Sequence, residues 1–400
     1  APADPNHADD EPPPDDHERP AYDAAVSARA LLRVSESANI SISDLVLVSS
    51  PAPNGRTAGL VVRTVADLHL ERCFLLHVGP GNNGSDSPAI GLGGAVVRPV
   101  LRDNVIVAQF GLGRLPELYD LLLVDAAVDD NTLSCKRSAV ELDAIHGGRN
   151  SFSRNRLSCA DRGLYVDGPV SPGGRVDVVD NTVDSNGSAI IVGTTRTLVR
   201  GNLLRGGFAR GLVDPDAVDP RGGVGVTVSP GYGVDLCHIE ANSITGYTTG
   251  VLCQSRARDL RICDNNLQAM DSMAIAHDFR PHVFGSESVT VTGNVIQGVG
   301  GQSTSRQSAF GIALFGCRQL TVADNTLERV GELRFDADPA PSSFRVHAIF
   351  LEVCQSADLR NNRILDTGPA RSFPGGDPQI VAIFVHNPLG PVQVTGNRVG

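Results

Sequence analysis

The stretch ICDNNLQAM, residues 262–270, sets two asparagines between an isoleucine and a leucine. Nearly the same phrase returns as VADNTLERV at 322–330, and related phrases are VVDNTVDSN at 178–186, VTGNVIQGV at 291–299 and VTGNRVG at 394–400. An amide at a fixed place inside an apolar pattern, repeated along the chain, indicates a repeat architecture.

Alignment on these asparagines gives the template Z-x-Z-x-x-N-x-Z, in which Z is usually aliphatic. The slot is filled by Asn104, Asn131, Asn155, Asn181, Asn202, Asn242, Asn265, Asn294, Asn325, Asn362 and Asn397. In all eleven copies the residue three before the slot and the residue two after it are apolar. Two earlier copies carry Leu45 or Cys73 in the slot, which makes thirteen units.

The template predicts the shape of each unit. Alternation before the slot is typical of a strand with one buried face, and the slot turns the chain so that the next apolar residue also points inward. A second alternating run follows, as in SAIIVG at 188–193 and FGIALFG at 310–316. Stacked units share one core, and inward asparagines about 4.8 Å apart can bond one another.

The asparagine template resembles that of the right-handed parallel β-helix family, the pectate-lyase-like architecture with an internal asparagine ladder. The resemblance covers about residues 31–400. It implies an all-β fold, a single-stranded right-handed parallel β-helix or solenoid of about thirteen coils. Because the sequence stops inside a repeat, we expect the β-helix to continue beyond Gly400.

The first thirty residues differ from the rest of the chain. Residues 1–30 hold eight acidic residues against Arg19 and Arg29, are rich in proline and have no apolar pattern. This composition predicts a disordered acidic linker. The segment has neither the positive start nor the apolar middle of a signal peptide.

Bulk properties argue against several classes of function. A net charge of −11 and a pI near 5.3 disfavour nucleic-acid binding through phosphate neutralisation. No apolar run approaches the roughly eighteen residues that span a bilayer. The eight cysteines include no C-x-x-C pair, so we expect buried free thiols, which favours a reducing compartment without fixing the localisation. No metal site or cofactor is predicted.

Longer connections separate the asparagine slot from the second alternating run in four units, at about 204–222, 298–308, 329–345 and 366–379. They leave from the same corner of the coil, so stacking gathers them along one edge. The family members that act on polysaccharides have their substrate groove beside such loops. Long loops on a rigid scaffold often carry binding, although an edge facing solvent also tolerates insertions.

Five residues on the outer face of the second run are candidate catalytic groups. Asp143 and Asp167 fall at equivalent places on consecutive coils, which predicts carboxylates about 5 Å apart, near the spacing in retaining glycosidases. Such a pair could also hold Ca²⁺, or it could be a solvated acidic row. Glu352 and His386 form a second pair one coil apart, and Asp278 lies on the same row.

The motifs of the family's enzymes are incomplete in this chain. The lyases use calcium-binding aspartates with a basic residue, but Lys136 is the only lysine and HDFRPHVF at 277–284 lacks their two arginines around a proline. Scarce tyrosine and absent tryptophan also remove the usual platforms for stacking sugars.

Two functions therefore stay open. The first is a non-catalytic structural or recognition segment of a larger protein, which displays its loop-lined face to a protein partner or a glycan. The alternative is a polysaccharide lyase, glycoside hydrolase or epimerase, with Ca²⁺ expected only in that case. The sequence leaves the oligomeric state open.

Overall fold

The computed structural model describes residues 29–50, 57–78, 87–115, 121–142, 147–168, 174–207, 223–229, 234–277, 286–300, 308–331, 345–368 and 379–400. These residues contain 38 β-strands, and neighbouring strands pair in parallel. The predicted all-β parallel solenoid is confirmed. Nearly all of the linker predicted for residues 1–30 lies outside the described residues and stays a prediction.

Three kinds of strand alternate along the chain. Sheet 1 is formed by the strands that precede the asparagine slot: Val100–Arg102, Leu121–Val124, Ala127–Asp129, Arg149–Ser153, Arg175–Val179, Arg196–Arg200, Val234–Glu240, Ala257–Cys263, Ser286–Thr292, Cys317–Ala323, Ser356–Arg360 and Val392–Thr395. Sheet 2 follows the slot and has thirteen strands among the described residues: Val46–Ser49, Phe74–His77, Val105–Ala108, Thr132–Cys135, Arg156–Cys159, Thr182–Ser185, Leu203–Arg205, Ser243–Thr245, Asn266–Met270, Val295–Val299, Thr326–Val330, Arg363–Leu365 and Arg398–Val399.

Sheet 3 contains the second alternating runs: Phe110–Arg114, Val140–Leu142, Leu164–Asp167, Ile190–Gly193, Val224–Val228, Thr249–Cys253, Met273–His277, Ala309–Phe315, Arg345–Glu352 and Gln379–His386. Three longer strands near the start, Arg29–Ser43, Thr57–Glu71 and Pro88–Val97, run through both sheet 1 and sheet 3. The two sheets are therefore continuous at that end of the solenoid.

The core contains the apolar positions that the template predicts. The residues three before and two after each slot asparagine are buried in every copy from Asn104 to Asn362. In the last described coil the equivalent Val394 and Val399 are 52% and 61% exposed, since no further described coil packs on them. One hydrophobic cluster runs through the whole described stack, which explains how an almost wholly aliphatic composition stabilises the chain.

A left-handed residue makes the turn between sheet 1 and sheet 2. In all thirteen units the residue immediately before the slot has a φ between 51° and 68°: Asp44, Arg72, Asp103, Asp130, Arg154, Asp180, Gly201, Ala241, Asp264, Gly293, Asp324, Asn361 and Gly396. Asp, Asn and Gly adopt this conformation most readily, and they fill most of these places. The turn reverses the alternation, so that the slot side chain also points into the core.

The slot asparagines form a continuous hydrogen-bonded ladder. From Asn131 to Asn397, each Oδ1 accepts the backbone N–H of the preceding slot asparagine at 2.9–3.1 Å and its Nδ2–H at 2.9–3.0 Å. Each Nδ2 also donates to a carbonyl of the preceding coil, three residues before that coil's slot, at 2.8–3.0 Å. The predicted stacking of asparagine side chains is confirmed.

The ladder runs in one direction and begins at Cys73. The backbone N–H of Cys73 donates to Oδ1 of Asn104 at 3.0 Å, but its thiol cannot extend the row of amides. From Asn104 to Asn362 the ladder asparagines are at most 2% exposed and each uses both amide hydrogens; each Oδ1 accepts two ladder bonds except that of Asn104, which accepts one from Cys73. A buried amide is tolerated because every polar atom on it is satisfied.

We expect Asn265→Ala to lower the free energy of unfolding by about 3 kcal/mol or more. The substitution leaves the Asn242 N–H and Nδ2–H, the Ile239 carbonyl and the Asn294 Oδ1 with one bond fewer each in a dry core, at about 1–3 kcal/mol for a group left unsatisfied. Urea unfolding followed by far-UV circular dichroism measures the change.

Asn266→Ala is the matched control, because Asn266 is the next residue, is exposed, and its side chain accepts a surface hydrogen bond from Nε2 of Gln268 at 3.1 Å. We expect it to change stability by less than about 0.5 kcal/mol. Equal effects of the two substitutions would contradict a stabilising role for the ladder.

Candidate functional site

The outer surface of sheet 3 holds all the described candidate residues. In register, each outward position on one coil lies beside the same position on the next, so outer residues form rows along the solenoid. Most residues of the four predicted loops lie outside the described residues. The site is therefore described from the strands of sheet 3 and their side chains.

Asp167 ends the strand Leu164–Asp167 and is 8% exposed. Its Oδ2 accepts the Tyr165 hydroxyl at 3.2 Å and its Oδ1 accepts the Gly168 N–H at 2.8 Å. The register partner on the next coil is Gly193, and a Cβ there would lie 2.1 Å from Oδ1 of Asp167. The missing side chain lets this carboxylate fold down onto the next coil instead of standing out in solvent.

The neighbours of Asp167 pair with one another. Glu141 and Tyr165 are register partners, and Arg162 donates to Oε1 of Glu141 at 3.3 Å. The Arg162 guanidinium also lies 5.3 Å from the centre of the Tyr165 ring. This end of the face is thus held by an ion pair and a cation–π contact. Asp143, the other predicted member of the first acid pair, lies outside the described residues.

Glu352 and His386 are register partners on consecutive strands of sheet 3. Nδ1 of His386 lies 3.3 Å from Oε1 of Glu352, and the side chains are 47% exposed for His386 and 31% for Glu352. An imidazole held by a carboxylate at the surface can bind a polar ligand group or exchange a proton with it. Asp278, predicted on the same row, lies outside the described residues.

Four phenylalanines and His347 form an aromatic cluster with His386 of this pair. We call Phe310, Phe315, His347, Phe350, Phe384 and His386 the aromatic patch. They lie on three adjacent strands, Ala309–Phe315, Arg345–Glu352 and Gln379–His386. Phe310 is the register partner of His347, and Phe350 is the register partner of Phe384. Outward rings on neighbouring coils are thereby brought into contact.

The rings pack in two stacks. Phe310 lies parallel to His347 with centroids 5.5 Å apart, and Phe350 lies nearly parallel to Phe384 at 5.7 Å. His386 stacks on Phe384 at 6.0 Å. These distances fall in the range of favourable aromatic pairs. The centre of the patch is buried, since Phe350 is 5% exposed, whereas Phe384 and the Glu352–His386 pair are more accessible, because Gln379–His386 is the last described strand of sheet 3.

His347 is a fully buried histidine, and neither ring nitrogen has a hydrogen-bond partner among the described residues. Burial, and secondarily the positive charge of Arg345, lowers the pKa of His347 to about 4. The imidazole is therefore neutral at pH 7. A buried polar group without a partner is rare in folded proteins and calls for a physical reason.

Cys135, Cys253 and Cys354 are not candidates for nucleophiles. Burial raises the pKa of Cys135 and of Cys253 to about 12, and that of Cys354 to about 11. These thiols stay protonated at neutral pH, and the thiolate is the reactive form. Among the described residues no group of three or more His, Cys, Asp or Glu side chains is placed to hold a metal ion.

The sequence patterns did not predict the aromatic patch, because tyrosine and tryptophan are the residues usually sought as sugar platforms. The signal is present in the phrases around Phe310, His347 and Phe384, where a ring alternates with inward aliphatic residues in three successive second runs. Aligning these runs in register places the rings side by side. The carboxylate and imidazole of the Glu352–His386 pair then fall at the border.

Comparison of the chain with known protein families, with curated proteins and with solved structures gives no match. The fold itself defines the class, a parallel β-solenoid with an internal asparagine ladder. In the part of the chain that the structure describes, no helix has both the length and the apolar character needed to cross a bilayer.

We expect Phe350→Ala to lower the free energy of unfolding by about 3 kcal/mol, because it removes the ring at the buried centre of the patch. Phe74→Ala is the control, since Phe74 lies on the outer face of sheet 2 and is 37% exposed. Denaturant titrations of both variants give the comparison. A loss at Phe350 no larger than at Phe74 would show that the patch adds no stability.

Proposed function

We propose that this chain is a non-catalytic recognition segment, a right-handed parallel β-helix of about thirteen coils of the pectate-lyase-like kind. Its ligand is a glycan, bound on the outer face of sheet 3 over the aromatic patch. The observation that carries the proposal is this patch, bordered by the hydrogen-bonded Glu352–His386 pair on a rigid sheet.

The composition of the patch suits a sugar ring. A glycan presents apolar C–H faces and hydroxyl groups around the edge, and ligand sites generally combine an aromatic surface with a few fixed polar groups. Phe384 supplies an accessible ring, while Glu352 supplies an acceptor and His386 a group that can donate or accept. The regular backbone beneath them, pinned by the ladder, holds these groups without a cost of ordering on binding.

The negative charge of the protein favours neutral glycans over acidic ones as ligands. Glu352 is an acid at the border of the patch, and the whole chain carries a net charge of −11. Polymers of uronic acids would be repelled by both. Neutral glycans are the preferred ligands under this proposal.

The test is a panel of neutral glycans and uronic-acid polymers, with affinities measured by calorimetry at pH 7. We expect binding of a neutral glycan, weakened at least tenfold by Phe384→Ala because the variant removes the accessible ring. Phe74→Ala, on the outer face of sheet 2, is expected to bind like the wild type. Binding that survives Phe384→Ala, or is lost equally in both variants, would place the site elsewhere.

A second candidate is an enzyme acting on polysaccharides, which the contact between Glu352 and His386 favours, since a paired carboxylate and imidazole can transfer protons. The screen is for reducing ends and unsaturated products on the same panel, with and without calcium. If turnover is found, Glu352→Gln is expected to slow it about a hundredfold. Turnover unaffected by Glu352→Gln, but abolished by Asp143→Ala with Asp167→Ala, would move the active site to the other predicted pair.

A further inference from the structure

The centre of the aromatic patch holds a group that can acquire a charge. His347 is fully buried, with Phe310 parallel to it at 5.5 Å and 7°, the Phe350 ring edge-on at 5.3 Å and the Phe384 ring at 5.2 Å. Neither of its ring nitrogens has a hydrogen-bond partner among the described residues. As a neutral ring, His347 packs like a fourth aromatic residue between the phenylalanines.

Among the described residues, a protonated His347 has no acceptor. The facing strand Ala309–Phe315 presents only Phe310, Ala313 and Phe315, none of which titrates. Its own strand brings the cation Arg345, which opposes a second positive charge, and the carboxylate of Glu352. The strand Gln379–His386 brings one ionisable group, His386, which already contacts Glu352.

Ring faces can attract a cation, so two effects compete in the patch. A cation over phenylalanine gains about 0.5–2 kcal/mol, whereas an imidazolium with two buried, unpartnered N–H groups forfeits a larger hydration energy. The cost of burying the charge is the larger of the two effects, and burial first and Arg345 second lower the pKa of His347 to about 4. We call the patch with His347 packed between the phenylalanines the closed patch. It therefore favours the neutral imidazole over the protonated one.

We infer that the aromatic patch is opened by acid: protonation of His347 expels its imidazole from between Phe310 and Phe384, and the glycan is released. The inference rests on the proposed function, because the released ligand is the glycan bound over the patch. The displaced ring leaves Phe384 without one of its packing neighbours, so the accessible ring loses its fixed orientation.

The sign and the pH window follow from the two states of His347. In the open patch the histidine has an ordinary pKa near 6.5 and takes up a proton below that pH, while the closed patch takes it up only near pH 4. The contribution of His347 to the stability of the closed patch is thus fully present above about pH 7. It decreases as the pH falls from about 6.5 to 4. Between pH 7 and pH 5 the ratio of open to closed patch rises roughly 25-fold.

The experiment measures glycan affinity at pH 7, 6 and 5 for the wild type, His347→Phe and His69→Gln. His347→Phe keeps an aromatic ring that cannot be charged. His69 is exposed and outside the patch, so its replacement removes one histidine that does not contact the aromatic rings. His77, whose pKa is also lowered by burial, is present in all three proteins and contributes equally. The imidazole signals of the unliganded proteins are followed by NMR over the same range.

We expect the wild type and His69→Gln to lose more than threefold in affinity between pH 7 and pH 5, with the rise in the ratio of open to closed patch as the upper limit, and His347→Phe to change less than threefold. The NMR signal of His347 should move to that of an exposed imidazolium as the patch opens. If His347→Phe does not fold, His347→Leu takes its place and the NMR titration of the wild type still decides.

Three results would overturn the inference. They are equal acid sensitivity of His347→Phe and the wild type, a His347 that titrates near pH 6.5 while its phenylalanine contacts persist, and wild-type affinity that is flat from pH 7 to pH 5. A protein that binds no glycan at pH 7 instead contradicts the proposed function. In that case the NMR titration alone shows whether acid opens the patch.

Discussion

The dry amide ladder is the interaction on which the rest of the structure depends. An asparagine side chain buried in an aliphatic core is stable only if both of its hydrogens and its oxygen find partners, and here the partner is the same residue one coil away. This requirement fixes the vertical register of every coil at the turn. Because the bonds all point the same way, each amide also polarises the next one, which adds cooperativity along the column.

Register at the turn has consequences on the outer surface. Because each strand of sheet 3 pairs in register with the strands of the adjacent coils, its outward side chains form rows along the solenoid. The chemistry of a row depends on the residue types at equivalent positions of successive coils. In one part of the face the row pairs Asp167 with Gly193 and the carboxylate folds down. In another it pairs Glu352 with His386, beside stacked rings. One scaffold thus presents two chemically different surfaces.

The sequence predicts the fold better than the site, for a physical reason. The fold is predicted by the asparagine template, which is repeated eleven times. Few architectures can bury both the apolar positions and the amide of that template in a core. The left-handed residue before the slot could also be predicted from the sequence, since Asp103, Gly201 and Asn361 are residue types that favour that conformation. The residues of the site, in contrast, occur in single units and do not repeat along the chain. The burial of Asp167 depends on a missing side chain at Gly193, one coil away, and single residues of this kind carry no periodic signal.

Asparagine and histidine illustrate two ways of burying a polar group in this protein. Asn294 lies in the core with every amide atom bonded, and its burial stabilises the fold. His347 lies among phenylalanines, and neither of its nitrogens has a hydrogen-bond partner among the described residues. Such a group lowers stability, and a leucine or phenylalanine in its place would not. A chain that satisfies its buried amides coil after coil does not need such a group for folding. Departures from local rules of this kind tend to occur at functional positions, which is why the outer face of sheet 3 around His347 is the part of the solenoid where function is to be sought.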